Sequence, residues 1–215
     1  MGVSVRYSGS AVDLSPIAGL RVDCERRSDV MARLQGRARR DIEQRFVAGH
    51  TAWIATIDGE PAAWGWMATR SADIGEMGLT FKLPSRQRYL WNFVTRPAYR
   101  GHGIYPRLLD AIVRAESTRA DRFWIAHAPE NRASEAGIRR AGFVPVAELS
   151  FDAAGRPALD GMGTEVEEAA RLLGLTQASS LTPCWRCVRS GKAPETACRD
   201  GSCACDYQVA GSGCG

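Results

Sequence analysis

The stretch Val94-Thr95-Arg96-Pro97-Ala98-Tyr99-Arg100-Gly101-His102-Gly103-Ile104 decides the fold of this chain. An apolar run over residues 89–94 precedes it and predicts a buried strand, and a helical pattern over residues 104–116 follows it. Glycines in such a turn let the backbone approach a ligand closely. The N–H groups at the helix start and the charge of Arg100 favour an anion there. A bound diphosphate is the functional interpretation, and an ordinary glycine-rich turn is the alternative.

On either side of this loop, strand and helix patterns alternate, which is typical of an α/β domain (an α+β mixed sheet) over residues 1–150. Residues 51–70 predict a hairpin that turns at Asp58-Gly59. Ser15-Pro16 and Ser28 are each typical of a helix start, and we expect Cys24 to be buried on the first of these helices. Further predicted elements are strands at 3–7, 123–126 and 144–146, and a helix at 135–141.

The loop, together with Asn131 and Gly142-Phe143, resembles the GNAT superfamily of acyl-CoA-dependent N-acyltransferases over about residues 3–150. The resemblance implies a central, mostly antiparallel sheet that is splayed at the cofactor strand. It also implies that acetyl-CoA, or another acyl-CoA, is the cofactor. The cofactor-binding residues that it implies are Phe93, Val94, Thr95, Arg100, Gly101, His102, Gly103, Ile104, Tyr105 and Asn131.

Two positions depart from the family pattern. Ile138 stands where many members have a tyrosine that protonates the leaving thiolate, and Tyr105 replaces a small residue. The proton must then come from water, from Ser134 or from another tyrosine. The resemblance implies that the segments of Glu76 and His127 border the acceptor, and these two residues are the candidate general bases, because a carboxylate or an imidazole there can take up a proton. The alternatives are a surface carboxylate and a histidine with a structural role.

The composition changes after residue 150. Residues 151–163 are rich in Gly, Ala, Pro and Asp and predict a linker, and a capping-box pattern from Thr164 predicts a short acidic helix within residues 151–180. Residues 181–215 form a cysteine-rich tail. Four of Cys184, Cys187, Cys198, Cys203 and Cys205 could bind zinc. A disulfide-linked tail, a free thiol-rich tail, and the core of a ribosomally made, modified peptide behind an acidic leader are the alternatives.

The net charge of +4 is too small to indicate nucleic-acid binding, and no apolar run is long enough for a membrane span. We therefore expect a cytoplasmic protein, and the resemblance implies that it acts on a small-molecule or peptide amine. The predicted function is direct transfer of an acetyl or similar acyl group to a primary amine. The rival interpretation is a GNAT-fold binding or scaffold protein of weak activity that presents a metal-bound or modified tail.

Overall fold

The computed structural model describes residues 1–152 and 154–178 of the 215-residue chain. The strands are β1 Gly2–Tyr7, β2 Leu20–Glu25, β3 His50–Ile57, β4 Glu60–Ala68, β5 Ser71–Ile74, β6 Leu79–Lys82, β7 Gln87–Thr95, β8 Arg122–His127, β9 Val144–Phe151, β10 Pro157–Asp160 and β11 Thr176–Gln177. The helices are α1 Ser28–Gln35, α2 Arg39–Val47, α3 Ile104–Glu116, α4 Arg132–Arg140 and α5 Thr164–Leu173. This is the mixed α/β class that the sequence predicts.

Within the described residues, nine strands form one sheet in the order β11-β10-β9-β1-β8-β7-β4-β3-β2, and β5 and β6 form a separate hairpin. Neighbouring strands of the large sheet run antiparallel, except that the β7–β8 and β10–β11 pairs are parallel. The sheet is therefore mostly antiparallel, as expected. The predicted turn at Asp58-Gly59 connects β3 and β4, and both of its residues have positive φ.

The sheet opens at β7, the strand that leads into the glycine loop. The pairing of β7 with β8 ends at Leu90 and Ile125. Beyond that point, the register between β7 and β4 shifts between Trp64 and Trp66, and Asn92 adopts a left-handed φ of 53°. A bulge of this kind bends the strand and breaks its pairing. It produces the splay that the resemblance implies for this strand.

Apolar side chains fill both faces of the sheet. On one face α3 buries Leu108, Leu109, Ile112 and Val113 against the central strands. On the other face, α1 and α2 pack around Trp66, while α5 packs in a cluster that contains Trp124. Because the apolar residues of α3 recur with a helical period, one side of the helix packs on the sheet. The start of α3, which follows the glycine loop, therefore lies beside β7.

A buried ion pair fixes α3 to the first strand. The Arg6 side chain is 2% exposed and donates to Asp110 Oδ1 at 2.7 Å. It also donates to the carbonyl oxygens of Ala141 at 2.7 Å and Ser10 at 3.1 Å. One guanidinium thus connects β1, α3 and the end of α4, which are the elements that position the site.

The N-terminal predictions need correction. No helix begins at Ser15-Pro16 in the described chain; strand β2 follows instead, and Cys24 is an exposed residue of β2. The helix predicted from Ser28 is divided into α1 and α2 because Gly36 takes a left-handed φ of 60° and ends α1. Pairing with β3 explains β2, since Leu20 and Val22 are partly buried while Arg21 and Asp23 are exposed.

The region after residue 150 also differs from the expected linker. Pro157–Asp160 pairs with β9 as strand β10. The predicted acidic helix is present as α5 and ends at Leu173 with Gly174 as its C-cap, but its N-cap is Gly163 and not Thr164. Val166 and Ala169 of α5 are buried in the core together with Leu149. The tail at 181–215 lies outside the described residues.

Candidate active site

The glycine loop opens toward the N-terminus of α3. Gly101 and Gly103 have left-handed φ values of 80° and 71°, which L-residues with side chains rarely adopt. Among the described residues no side chain caps the first turn of α3, and no atom outside residues 100–102 lies within 4 Å of where a Cβ of Gly101 would stand. The uncapped N–H groups and the helix dipole therefore face open space that suits an anion.

The splayed edge of β7 presents backbone donors beside this loop. Arg96 N donates to Ala62 O at 2.9 Å, and Val94 lies opposite Trp64. Because hydrogen-bonded and free positions alternate along an antiparallel pair, Phe93 and Thr95 direct their N–H groups to the opposite edge. The Thr95 carbonyl oxygen points the same way and accepts from Arg100 Nε at 3.2 Å. That edge is the one from which β8 has diverged.

A groove of about 590 Å³ runs along this edge and the loop. Every residue predicted to contact the cofactor lines it except His102: the set is Phe93, Val94, Thr95, Arg100, Gly101, Gly103, Ile104, Tyr105 and Asn131. The side chain of His102 is exposed. The structure thus brings the predicted cofactor contacts together on one surface.

Tyr105 lies at the inner end of the groove. Its ring packs 5.5 Å from the ring of Phe93 and directly over Gly137, where a Cβ would come within 2.4 Å of Tyr105 Cδ1. Its hydroxyl is 3.4 Å from Ser134 Oγ. Burial raises the pKa of Tyr105 to about 12. Ile138, at the position of the family tyrosine, is 1% exposed and belongs to the core.

A second cavity of about 750 Å³ adjoins the groove. It shares four lining residues with the groove: Phe93, Tyr105, Asn131 and Ser134. Asn131 is the N-cap of α4, and its Oδ1 accepts from Ser134 N at 3.0 Å. The predicted Ser134 therefore stands on the first turn of a capped helix, where the two cavities meet. We call the second cavity the acceptor cleft, after the expectation that an acceptor binds beside Glu76 and His127.

Both predicted bases line the acceptor cleft. His127 is partly buried, and its buried Nδ1 has no hydrogen-bond partner in the described part of the chain. Burial lowers the pKa of His127, and the carboxylate of Glu135 opposes this shift. The imidazole is therefore neutral near pH 7. Glu76 is an exposed carboxylate on a 3₁₀ turn, Gly75–Met77.

The cleft also contains residues that the sequence does not single out. Arg37, Arg45 and Asp73 line it together with Trp91. Trp66, whose ring lies 6.1 Å from that of Trp91, is fully buried. The arginines belong to the polar surface around α1 and α2, and nothing in their spacing distinguishes them from other surface arginines.

The predicted metal ligands Cys184, Cys187, Cys198, Cys203 and Cys205 lie outside the described residues. Within residues 1–152 and 154–178 no group of three or more His, Cys, Asp or Glu side chains could hold a metal ion. In the same ranges no helix is long and apolar enough to span a membrane.

Comparison with known proteins gives one family match. A sequence model described as the acetyltransferase (GNAT) family matches residues 21–143, which is more than half of the chain. Among curated proteins, none matches the chain.

Several solved structures resemble the fold. A GCN5-related N-acetyltransferase from Kribbella flavida aligns over 67% of this chain at 13% identity and a TM-score of 0.44, and this chain spans only 53% of that protein. An aminoglycoside 6'-N-acetyltransferase from Acinetobacter baumannii aligns over 59% of this chain and 91% of its own, at 16% identity and a TM-score of 0.44. A GNAT-family acetyltransferase from Novosphingobium aromaticivorans aligns over 67% and 59%, at 17% identity and a TM-score of 0.46. On the match to more than half of its length, the chain belongs to the GNAT acetyltransferase family.

Proposed function

We propose that the protein is an N-acyltransferase that moves an acetyl or similar acyl group from acyl-CoA directly to a primary amine. The meeting of the groove and the acceptor cleft at Phe93, Tyr105, Asn131 and Ser134 carries this proposal. Direct transfer requires both substrates to be held with their reacting atoms in contact. Two open cavities that share a wall provide that arrangement, whereas a binding protein needs only one of them.

The groove fits coenzyme A. A diphosphate would lie at the uncapped start of α3, held by the N–H groups around Gly101 and Gly103 and by the charge of Arg100. The pantetheine arm is an extended amide chain, and it would bond to the free edge of β7 at Phe93 and Thr95. Acyl-CoA, when bound, supplies the activated thioester.

The chain's own groups would handle the two protons of the reaction. The acyl carbon exchanges its bond to sulfur for a bond to nitrogen, the amine loses one proton and the thiolate gains one. His127 Nε2 or Nδ1 would accept the first proton, because the imidazole is neutral near pH 7 and lines the acceptor cleft. Glu76 is the second candidate for that role.

Tyr105 Oη would donate the second proton, with Ser134 Oγ as its hydrogen-bond partner. A hydroxyl with a pKa of about 12 stays protonated at every physiological pH. Tyr105 lines both cavities, and it reaches the junction from α3, whereas the family tyrosine would start from the position of Ile138. The tyrosine at position 105 would thus take the role of the family tyrosine that is absent at position 138.

Two measurements test the proposal. Isothermal titration with acetyl-CoA measures binding, and release of free thiol with a panel of primary amines measures transfer. We expect Tyr105→Phe to lower kcat about a hundredfold, as for loss of a general acid, with an unchanged Kd for acetyl-CoA. Tyr7→Phe, an exposed tyrosine on β1, is the matched control. Binding without thiol release for any amine would favour a scaffold role.

Zinc in the tail stays a separate proposal. Elemental analysis of reduced protein, with and without residues 181–215, tests it. One equivalent of zinc that is lost with the tail would support a structural site, and less than half an equivalent in the full chain would contradict it.

A further inference from the structure

We infer that the acceptor cleft contains a carboxylate-binding subsite at Arg45, so that the acylated amine belongs to a molecule that also carries a carboxylate. This inference rests on the proposed function, since it names the class of its acceptor. The shared chemistry is that of a zwitterion, which a free amino acid and a peptide with a free C-terminus both provide.

Arg45 is held in the wall of the cleft by two aromatic rings. Its guanidinium carbon lies 5.0 Å from the ring centre of Trp66 and 4.8 Å from that of Trp91. Trp91 is fixed in turn, because its Nε1 donates to His50 Nδ1 at 3.1 Å. Stacking on fixed rings orients a guanidinium while its N–H edge stays available. The arginine is therefore preorganised for a planar ligand.

The charge of Arg45 is poorly compensated. Its neighbours Arg33 and Arg39 form ion pairs with Asp29 and Glu43. By contrast, no carboxylate oxygen of the described residues lies within 4.0 Å of the Arg45 guanidinium, and its hydrogen bond runs to the neutral Gln35 Oε1 at 3.1 Å.

The surroundings of Arg45 disfavour a second cation and favour an anion. Burial and repulsion by Arg37 lower the pKa of Arg45, and Asp41 opposes this shift. Arg37 lines the same cleft and is exposed. Of the five N–H donors of a guanidinium, most remain for a ligand. A carboxylate matches that planar set of donors in a bidentate pair and offsets one of the two positive charges.

The cleft also contains acidic groups. Asp73 and Glu76 line it from the β5–β6 hairpin, and His127 lines it from the end of β8. The two carboxylates attract an ammonium group, while the guanidinium of Arg45 attracts a carboxylate. The cleft therefore contains charges of both signs, as recognition of a zwitterionic acceptor requires, and Arg37 and Arg45 repel additional positive charge.

Matched pairs of acceptors test the inference. Each pair is an amino acid and its carboxamide, or a short peptide with a free or amidated C-terminus, assayed by thiol release with acetyl-CoA. In one of the two types of pair, we expect the acceptor with the carboxylate to have a kcat/KM about ten- to a hundredfold higher than its amide. This is the effect expected for loss of a charged hydrogen-bond partner. The pair type that shows the preference identifies the source of the carboxylate.

Substitutions test whether the preference for acids over amides depends on Arg45. Arg45→Gln should abolish it, mainly through KM, and Arg45→Lys should keep part of it. Arg40→Gln, an exposed arginine on α2, is the control and should keep all of it. An unchanged Kd for acetyl-CoA in each variant shows that the fold is intact. Equal use of acids and amides, or a preference that survives Arg45→Gln, would overturn the inference.

A binding measurement separates this inference from the proposed function. The probes are N-acetyl amino acids and their carboxamides, titrated into CoA-loaded protein and followed by tryptophan fluorescence, to which Trp91 contributes. Tighter binding of the acids that depends on Arg45, without turnover of any amine, would support the subsite and contradict the enzyme. Absence of both turnover and preferential binding would contradict both.

Discussion

Gly137 is a glycine in the interior of α4, and its substitution tests the position of Tyr105. A Cβ at residue 137 would lie 2.4 Å from Tyr105 Cδ1 and 2.9 Å from Cε1. Ordinary carbon contacts are about 3.5–4.0 Å, so the ring or the helix must move by about 1 Å. Such overpacking costs about 1–3 kcal/mol, whereas replacement of a helical glycine by alanine contributes about 1 kcal/mol.

Whether Gly137→Ala stabilises or destabilises the protein should therefore depend on the presence of the Tyr105 ring. Gly137→Ala should lower the free energy of unfolding by about 0–2 kcal/mol in the native background, and raise it by about 1 kcal/mol in the Tyr105→Ala background. Urea unfolding followed by tryptophan fluorescence measures all four proteins of the cycle. The coupling energy is then about 1–3 kcal/mol. In the native background, Gly137→Ala should also lower kcat, because it displaces the hydroxyl from Ser134.

The exposed Ala136 on the same helix provides a control. Ala136→Gly should cost about 1 kcal/mol in both backgrounds, since its effect is one of helix propensity. If Gly137→Ala stabilises the native protein as much as it stabilises Tyr105→Ala, the ring does not lie on Gly137, and the proposed proton donor loses its geometric basis.

Three further predictions concern other parts of the molecule. Asp110→Asn should destabilise the protein by about 3 kcal/mol or more, because it leaves the buried Arg6 guanidinium without its partner carboxylate; in urea unfolding, the double variant with Arg6→Met should lose less. His127 has a folded-state pKa below its unfolded value, so the unfolded chain binds the proton first and stability falls as the pH drops below about 6.5. His127→Gln should reduce that loss in unfolding curves between pH 7 and pH 5. Gly101→Ala introduces about 1–2 kcal/mol of left-handed strain and should raise the Kd for acetyl-CoA about tenfold by titration, while the equally left-handed Gly59→Ala should leave it unchanged.

Local patterns in the sequence predict much of this fold. The apolar period of α3 and the glycines before it give the correct helix bounds, since both signals act within a few residues. The prediction of a helix start at Ser15-Pro16 is wrong for the same reason, because it used local signals alone. It is compatible with a helix start, but Leu20–Glu25 is decided by its pairing with β3, more than twenty residues away.

In the candidate site, too, local features are predicted from the sequence and long-range contacts are not. The loop from Arg100 to Gly103 is contiguous, so its placement beside α3 follows from the sequence. The contacts of Tyr105 with Gly137 and of Arg45 with Trp91 join residues that are far apart in the chain. No local pattern indicates such contacts, and a single sequence offers no other signal for them.

The central place of β1 in the sheet has a consequence for how the chain folds. β1 lies between β8 and β9, and its residues pair with partners that follow by well over half of the described chain. Contacts of such long sequence separation form slowly, because the loop must close before they contribute. During synthesis, the apolar residues Val3 and Val5 therefore stay unpaired until most of the domain has been made. A chaperone that binds short apolar segments would find its target there.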